Sequence, residues 1–192
     1  MLKNSTLCLI SKHYRNNTAH AMKHILPILT VTTLSAAAFA QTAAAAPAGL
    51  SYNRVGLNYQ TNGSENPTSI SASAFIGSSN VLVSGTADLT AAGDDSVSLG
   101  YVFKNVAAGV DATVSIGSND TYGINLRRAL NEIVSGLEVA VAYNRTIGTN
   151  YDSQWVYELS YNFTKQYSIA YSVTDPNGTA QSVNQVSLRY NF

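Results

Sequence analysis

Charge is scarce in this chain. Of its 192 residues only 11% are Asp, Glu, Lys or Arg, against about 25% in ordinary soluble domains. Cysteine and histidine are scarcer still: Cys8, His13, His20 and His24 are all there is, and every one precedes residue 25. They fall in a stretch read below as a leader, so the exported chain carries neither a thiol nor an imidazole. That excludes disulfides, His-based nucleophilic catalysis, and zinc or haem sites built on His or Cys. No serine stands in a Gly-x-Ser-x-Gly elbow. The expectation is therefore a non-enzymatic protein without cofactor or metal. Basic charge is also short after the start. Residues 1–40 hold Lys3, Lys12, Arg15 and Lys23 and no acid, which leaves seven basic against eleven acidic residues in the remainder. A net negative chain is a poor partner for nucleic acid. No fixed-length repeat is present, which argues against a solenoid or propeller.

Three segments divide the chain. The run Ile25 to Ala40 follows Lys23, carries no charge and ends in Ala38-Phe39-Ala40 before Gln41. A positive start, an apolar stretch and small residues at −3 and −1 describe a secretory signal peptide. The run falls short of the roughly 20 residues that a membrane-spanning helix needs. Residues 1–40 are read as a signal peptide with an N-terminal extension, Met22 being the more natural start. Cys8 precedes the apolar run instead of closing it, so a lipoprotein reading is rejected. Residues 41–49 form a short lead-in, and 50–192 form one domain.

Period-2 alternation fills that domain. A strand sends successive side chains to opposite faces, so alternation marks two different environments. Val55, Leu57 and Tyr59 oppose Arg54, Asn58 and Gln60; Val97, Leu99, Tyr101 and Phe103 oppose Ser96, Ser98 and Gly100. Ten such segments follow one another, separated by turn-rich breaks such as Asp175-Pro-Asn-Gly178. The sixth is the weakest, because Arg127-Arg128 interrupts the pattern and residues 129–136 could form a helical turn. Two misread segments would reduce the count to eight.

A soluble sandwich also alternates, but its wet face should be rich in charge. Here the polar face is mostly Ser, Gly, Ala, Thr and Asn, while the other carries large aliphatics and aromatics on every segment. A membrane-spanning barrel accounts for both, with lipid against the apolar face and small polar residues in the lumen. The reading is all-β: an antiparallel, transmembrane, up-and-down β-barrel.

The chain ends in Val186-x-Leu188-x-Tyr190-x-Phe192. With the leader and the ten alternating segments, this ending resembles that of the small bacterial outer-membrane β-barrel proteins. That group includes the membrane domain of outer membrane protein A and the compact porin-like barrels. The resemblance implies residence in the outer membrane among its lipid and lipopolysaccharide. It also implies delivery by the barrel-assembly machinery, with Val186, Leu188, Tyr190 and Phe192 as the assembly signal. It implies no particular activity.

Two sets of charged residues are candidates for function. Arg54, Asp111, Arg127, Glu138, Glu158 and Arg189 point inward and form a lumen cluster, read either as bracing or as the lining of a narrow pore. Glu65, Asp94, Asp95, Asp120, Asp152 and Asp175 gather in the connections on one rim, read either as solvated loops or as a contact for divalent cations or lipopolysaccharide. The functional expectation is a structural or narrow porin-like barrel. The alternatives are a surface-binding barrel whose acidic loops engage host molecules, cations or lipopolysaccharide, and a secreted soluble β-domain.

Overall fold

The computed structural model describes residues 49–61, 67–90, 95–118, 120–147, 152–177 and 181–192. The leader reading, with Cys8, Met22 and Ala40, lies outside the described residues, as do Glu65 and Asp94. Ten strands follow in order: β1 (Arg54–Gln60), β2 (Thr68–Phe75), β3 (Val81–Asp88), β4 (Ser96–Ala107), β5 (Val110–Gly117), β6 (Thr121–Ala129), β7 (Leu137–Thr146), β8 (Asp152–Asn162), β9 (Tyr167–Pro176) and β10 (Val183–Asn191).

Each strand pairs antiparallel with its sequence neighbours, and β1 pairs with β10, so the sheet closes into a barrel. Antiparallel closure demands an even count, because an odd one would bring the first and last strands together parallel. The seam is in full register, with Val55 opposite Tyr190, Leu57 opposite Leu188 and Tyr59 opposite Val186. Ten strands form, and eight is set aside. Both ends of the domain reach the same mouth of the barrel, here called proximal; the opposite mouth is distal.

The ambiguous sixth segment is a strand, and its two arginines explain why. Arg127 turns into the lumen, whereas Arg128 reaches Glu132 at 2.6 Å in the connection that follows. That connection is a single turn: the amides of Ile133 and Val134 both donate to the Leu130 carbonyl, at 2.9 and 3.0 Å. Gly136 closes it at φ +84°, where a Cβ would lie 2.5 Å from the Asn162 carbonyl oxygen. No other residue fits there without displacing β8.

Burial is inverted relative to a soluble domain. Leu57, Leu99, Ile116, Ile124, Leu159, Ile169 and Leu188 are exposed on the outside, while Asn58, Thr113, Ser160, Ser168, Ser172 and Ser187 are buried within. Packed aromatic rings mark both ends of the outer wall, with Tyr157 and Tyr171 between them. Tyr143 and Trp155 lie 4.9 Å apart near the distal end. Near the proximal end, Tyr167 packs 5.4 Å from Tyr190, and Tyr190 stacks 6.5 Å from Phe192. An apolar belt between aromatic girdles, around a polar interior, is the architecture of a small outer-membrane barrel.

Candidate functional site

The lumen of a ten-stranded barrel is little wider than the side chains that fill it, so inward residues on different strands touch. Small residues make the room. A Cβ on Gly123 would sit 2.6 Å from Asn144 Oδ1, and one on Gly56 would sit 3.0 Å from Ser71 Oγ.

Two ion pairs lie toward the proximal end. Arg127 on β6 donates from Nη2 to Glu138 Oε2 on β7 at 2.9 Å, and both side chains are nearly inaccessible. The other carboxylate oxygen, Glu138 Oε1, accepts from Asn162 Nδ2 at 2.7 Å. Arg189 on β10 grips Glu158 on β8 with both fork nitrogens, at 2.7 and 2.5 Å. These partners are separated by β9, whose inward residues there are Ser168, Ala170 and Ser172. A long side chain on β9 would block the pair, so Ala170, 2% exposed, is part of its geometry. Bidentate guanidinium–carboxylate contact fixes orientation as well as energy.

Asp111 belongs to the same end of the lumen but, among the described residues, joins no arginine pair. One carboxylate oxygen accepts from the Asn105 amide at 2.8 Å and the other from the Tyr52 hydroxyl at 2.8 Å. The first contact holds the β4–β5 turn, where Asn105, Ala108 and Gly109 all have positive φ, of 52°, 47° and 77°. The second anchors an element that strand periodicity does not reveal. Residues 51–53 precede β1 and fold into the proximal mouth. Ser73 Oγ donates to the Tyr52 carbonyl at 2.6 Å, and the Phe75 amide donates to Asn53 Oδ1 at 2.9 Å. The Tyr52 ring, 5% exposed, packs 5.0 Å from Phe75 and lies under the Arg127 guanidinium at 4.8 Å. Arg127 also donates to the Ser51 carbonyl at 3.0 Å. Burial, and then the bond to Asp111, push the Tyr52 phenol above its ordinary pKa. It therefore stays a protonated donor across the physiological range.

Tyr52, Phe75 and Val102 thus place apolar bulk in the proximal lumen, Val102 being fully buried. Parity could have revealed two of them, since Phe75 shares a face with Ser71 and Ser73, and Val102 with Ser98 and Gly100. Tyr52 lies ahead of the first strand and carries no such signal. Lys104, also inward, sits 5.0 Å over the Phe75 ring.

Arg54 stands apart. It lies within electrostatic reach of Arg127, Arg189, Glu158 and Glu138. Among the described residues, however, no hydrogen bond or ion pair engages its guanidinium. It borders a cavity of about 210 Å³ whose other walls include Ser71, Ser73, Ser84, Thr86, Ser96 and Ser98. Among the described residues the lumen is therefore divided: the two arginine–carboxylate pairs lie on the β6–β10 side, and a hydroxyl-lined cavity bordered by Arg54 lies on the β1–β4 side.

The distal rim is less organised. Asp95 accepts from the Asp88 amide at 3.0 Å, and Asp175 accepts from Ser182 Oγ at 3.1 Å. Asp120 occupies a turn at φ +53°, and the Asp152 backbone pairs with Thr146. These contacts cap turns. Among the described residues, no cluster of three or more acidic, His or Cys side chains is placed to hold a metal ion. Of the residues expected to form the assembly signal, Val186, Leu188 and Tyr190 face outward along β10, and the Phe192 amide donates to the Asn53 carbonyl at 3.1 Å.

No protein-family model matches this chain, and no curated protein sequence matches it. Similar solved structures include two of the KdgM porin. One is the KdgM porin in complex with disordered oligogalacturonate, at 14% identity and a TM-score of 0.49, covering 72% of this chain and 99% of that one. The other is the KdgM porin, at 16% identity and a TM-score of 0.42, with the same coverage of 72% and 99%.

Proposed function

We propose that this protein is a small outer-membrane β-barrel acting as a narrow, non-enzymatic, porin-like pore, constricted at its periplasmic end. One observation carries the reading. Inside a closed wall with an apolar exterior, the distal part of the lumen is lined mostly by uncharged polar residues such as Ser69, Thr86, Ser96 and Asn144, while the proximal end holds two ion pairs and the Tyr52 ring. Buried pairs that add little net stability fit a layer that shapes a passage. The acidic distal rim gives less support to a surface-binding role, because the contacts of Asp95 and Asp175 are spent on their own turns.

Orientation follows from the shared proximal position of both ends, which the leader reading places in the periplasm. Lys165 lies in the β8–β9 turn and Asp175 near the distal end of β9, and both are exposed. With Cys8 removed in the leader, Lys165→Cys and Asp175→Cys give single probes. An impermeant maleimide on whole cells should label Asp175→Cys and spare Lys165→Cys until the outer membrane is opened. The opposite pattern would invert the topology, and recovery of the protein without detergent would end the membrane reading.

The C-terminal residues contribute to closure as well as to recognition. Deleting Phe192 removes the ring stacked on Tyr190 and the amide held by Asn53. The expected outcome is a large drop in the heat-resistant barrel band on gels, with the polypeptide still exported. Undiminished barrel in the deletion would deny the ending an assembly role.

A further inference from the structure

We propose that the β1–β4 side of the lumen is a binding site for a small oxyanion, with Arg54 as its anchor. The inference rests on the porin-like reading above, since a ligand must reach the lumen from the distal mouth.

Charge balance comes first. Arg127 and Arg189 are neutralised at contact distance by Glu138 and Glu158, and Asp111 is committed to Tyr52 and the Asn105 amide. Arg54 is left as uncompensated positive charge, with two like charges nearby and its carboxylate neighbours already engaged. A partly desolvated cation without a hydrogen-bonded partner is costly, and an anion in the adjoining cavity would relieve that cost.

The walls then fit the ligand. The lining of the 210 Å³ cavity contains no carboxylate. Ser84 and Ser98 bond to each other at 2.6 Å, and Ser73 is held by the Tyr52 carbonyl. Ser71, Thr86 and Ser96 have no protein partner among the described residues, so their hydroxyls are available to donate. A guanidinium fork facing several hydroxyls matches a carboxylate or phosphate group, whose oxygens accept bonds in several directions. The volume falls below the roughly 300–1,000 Å³ of sites that enclose drug-sized molecules, which limits the ligand to a few heavy-atom groups.

Position favours retention. Ser96 and Thr86 lie toward the distal mouth and Arg54 toward the proximal end, so the cavity runs inward to its cation and ends on the Tyr52 segment. At the distal end of this wall the next inward residue beyond Thr86 is Asp88, one of whose carboxylate oxygens is held by the amide and hydroxyl of Thr90; past it, an anion would meet the hydroxyls and then the guanidinium.

The test is isothermal titration of the full barrel in detergent micelles at constant ionic strength. The probes are inorganic phosphate and gluconate, with uncharged sorbitol as the control. Phosphate or gluconate should bind and sorbitol should not, the preference between the two naming the group recognised. Arg54→Gln should weaken binding at least tenfold, which is about 1.4 kcal/mol. Arg54→Lys should retain part of it. Ser71→Ala, Thr86→Ala and Ser96→Ala together should weaken it several-fold while leaving gel mobility unchanged. If Arg54→Gln fails to form a heat-resistant barrel, the lysine and triple variants decide the matter. Absence of binding by the parent, equal binding of sorbitol, or undiminished affinity in the folded variants would overturn the site. Anion binding by a barrel that conducts nothing in bilayers would remove the pore reading and leave the site standing; conductance without binding would do the reverse.

Discussion

Replacing Tyr52 with alanine should open the barrel. The parent protein should show low conductance in planar bilayers, because the proximal lumen is filled by the Tyr52 ring, Phe75, Val102 and two ion pairs. Tyr52→Ala removes the ring beneath Arg127 and releases one oxygen of Asp111. Single-channel conductance should rise several-fold. Adding Arg127→Ala and Arg189→Ala should raise it further and make the pore cation-selective. Three carboxylates, Asp111, Glu138 and Glu158, would then face Arg54 and the more exposed Lys104. Selectivity should shift even where conductance changes little, since a narrow low-dielectric passage magnifies fixed charge. Recordings in which the triple variant matches the parent in both conductance and reversal potential would eliminate this layer as a constriction.

The second large effect is on stability. Glu158→Ala leaves the Arg189 guanidinium buried without its bidentate partner, close to Arg54 and Arg127. Removing one member of a buried pair costs about 3–5 kcal/mol, whereas replacing both by apolar residues of similar volume is often neutral. The temperature at which the compact gel band converts to the unfolded one should therefore fall sharply in Glu158→Ala. It should recover in the Glu158→Leu, Arg189→Met double variant. A single variant as heat-resistant as the parent would mean that Arg189 is hydrated rather than braced. Recovery in the double variant separates loss of the charge pair from simple loss of side-chain volume.

The difference between what can be read along the chain and what cannot is visible in these residues. Alternation is local: Leu57 and Tyr59 face out because neighbouring side chains in a strand oppose each other. Arg54, Arg127 and Arg189 share the polar parity of their strands, and so do Glu138 and Glu158. Which arginine meets which carboxylate is another matter. Arg189 reaches Glu158 only because β10 and β8 are brought to either side of β9 in a fixed stagger, and Ala170 leaves the gap. Asp111 has the same inward parity, yet the bulge after Phe103 and the turn at Asn105 direct its carboxylate to a backbone amide and to Tyr52.

By itself, then, the sequence determined the strands, their two faces, the inverted distribution of polarity and the absence of thiol or imidazole chemistry after residue 40. Each depends on nearest neighbours or on composition, and neither needs the chain to meet itself. Closure of β1 on β10, the choice of ten strands over eight, the pairing of lumen charges and the folding of Tyr52 into the proximal mouth were decided by tertiary structure. They rest on contacts between residues far apart in the chain, such as Tyr52 with Asp111 and Arg189 with Glu158. Such contacts exist only once the register of every intervening strand is set, because a shift of one residue moves a side chain from the lumen to the lipid.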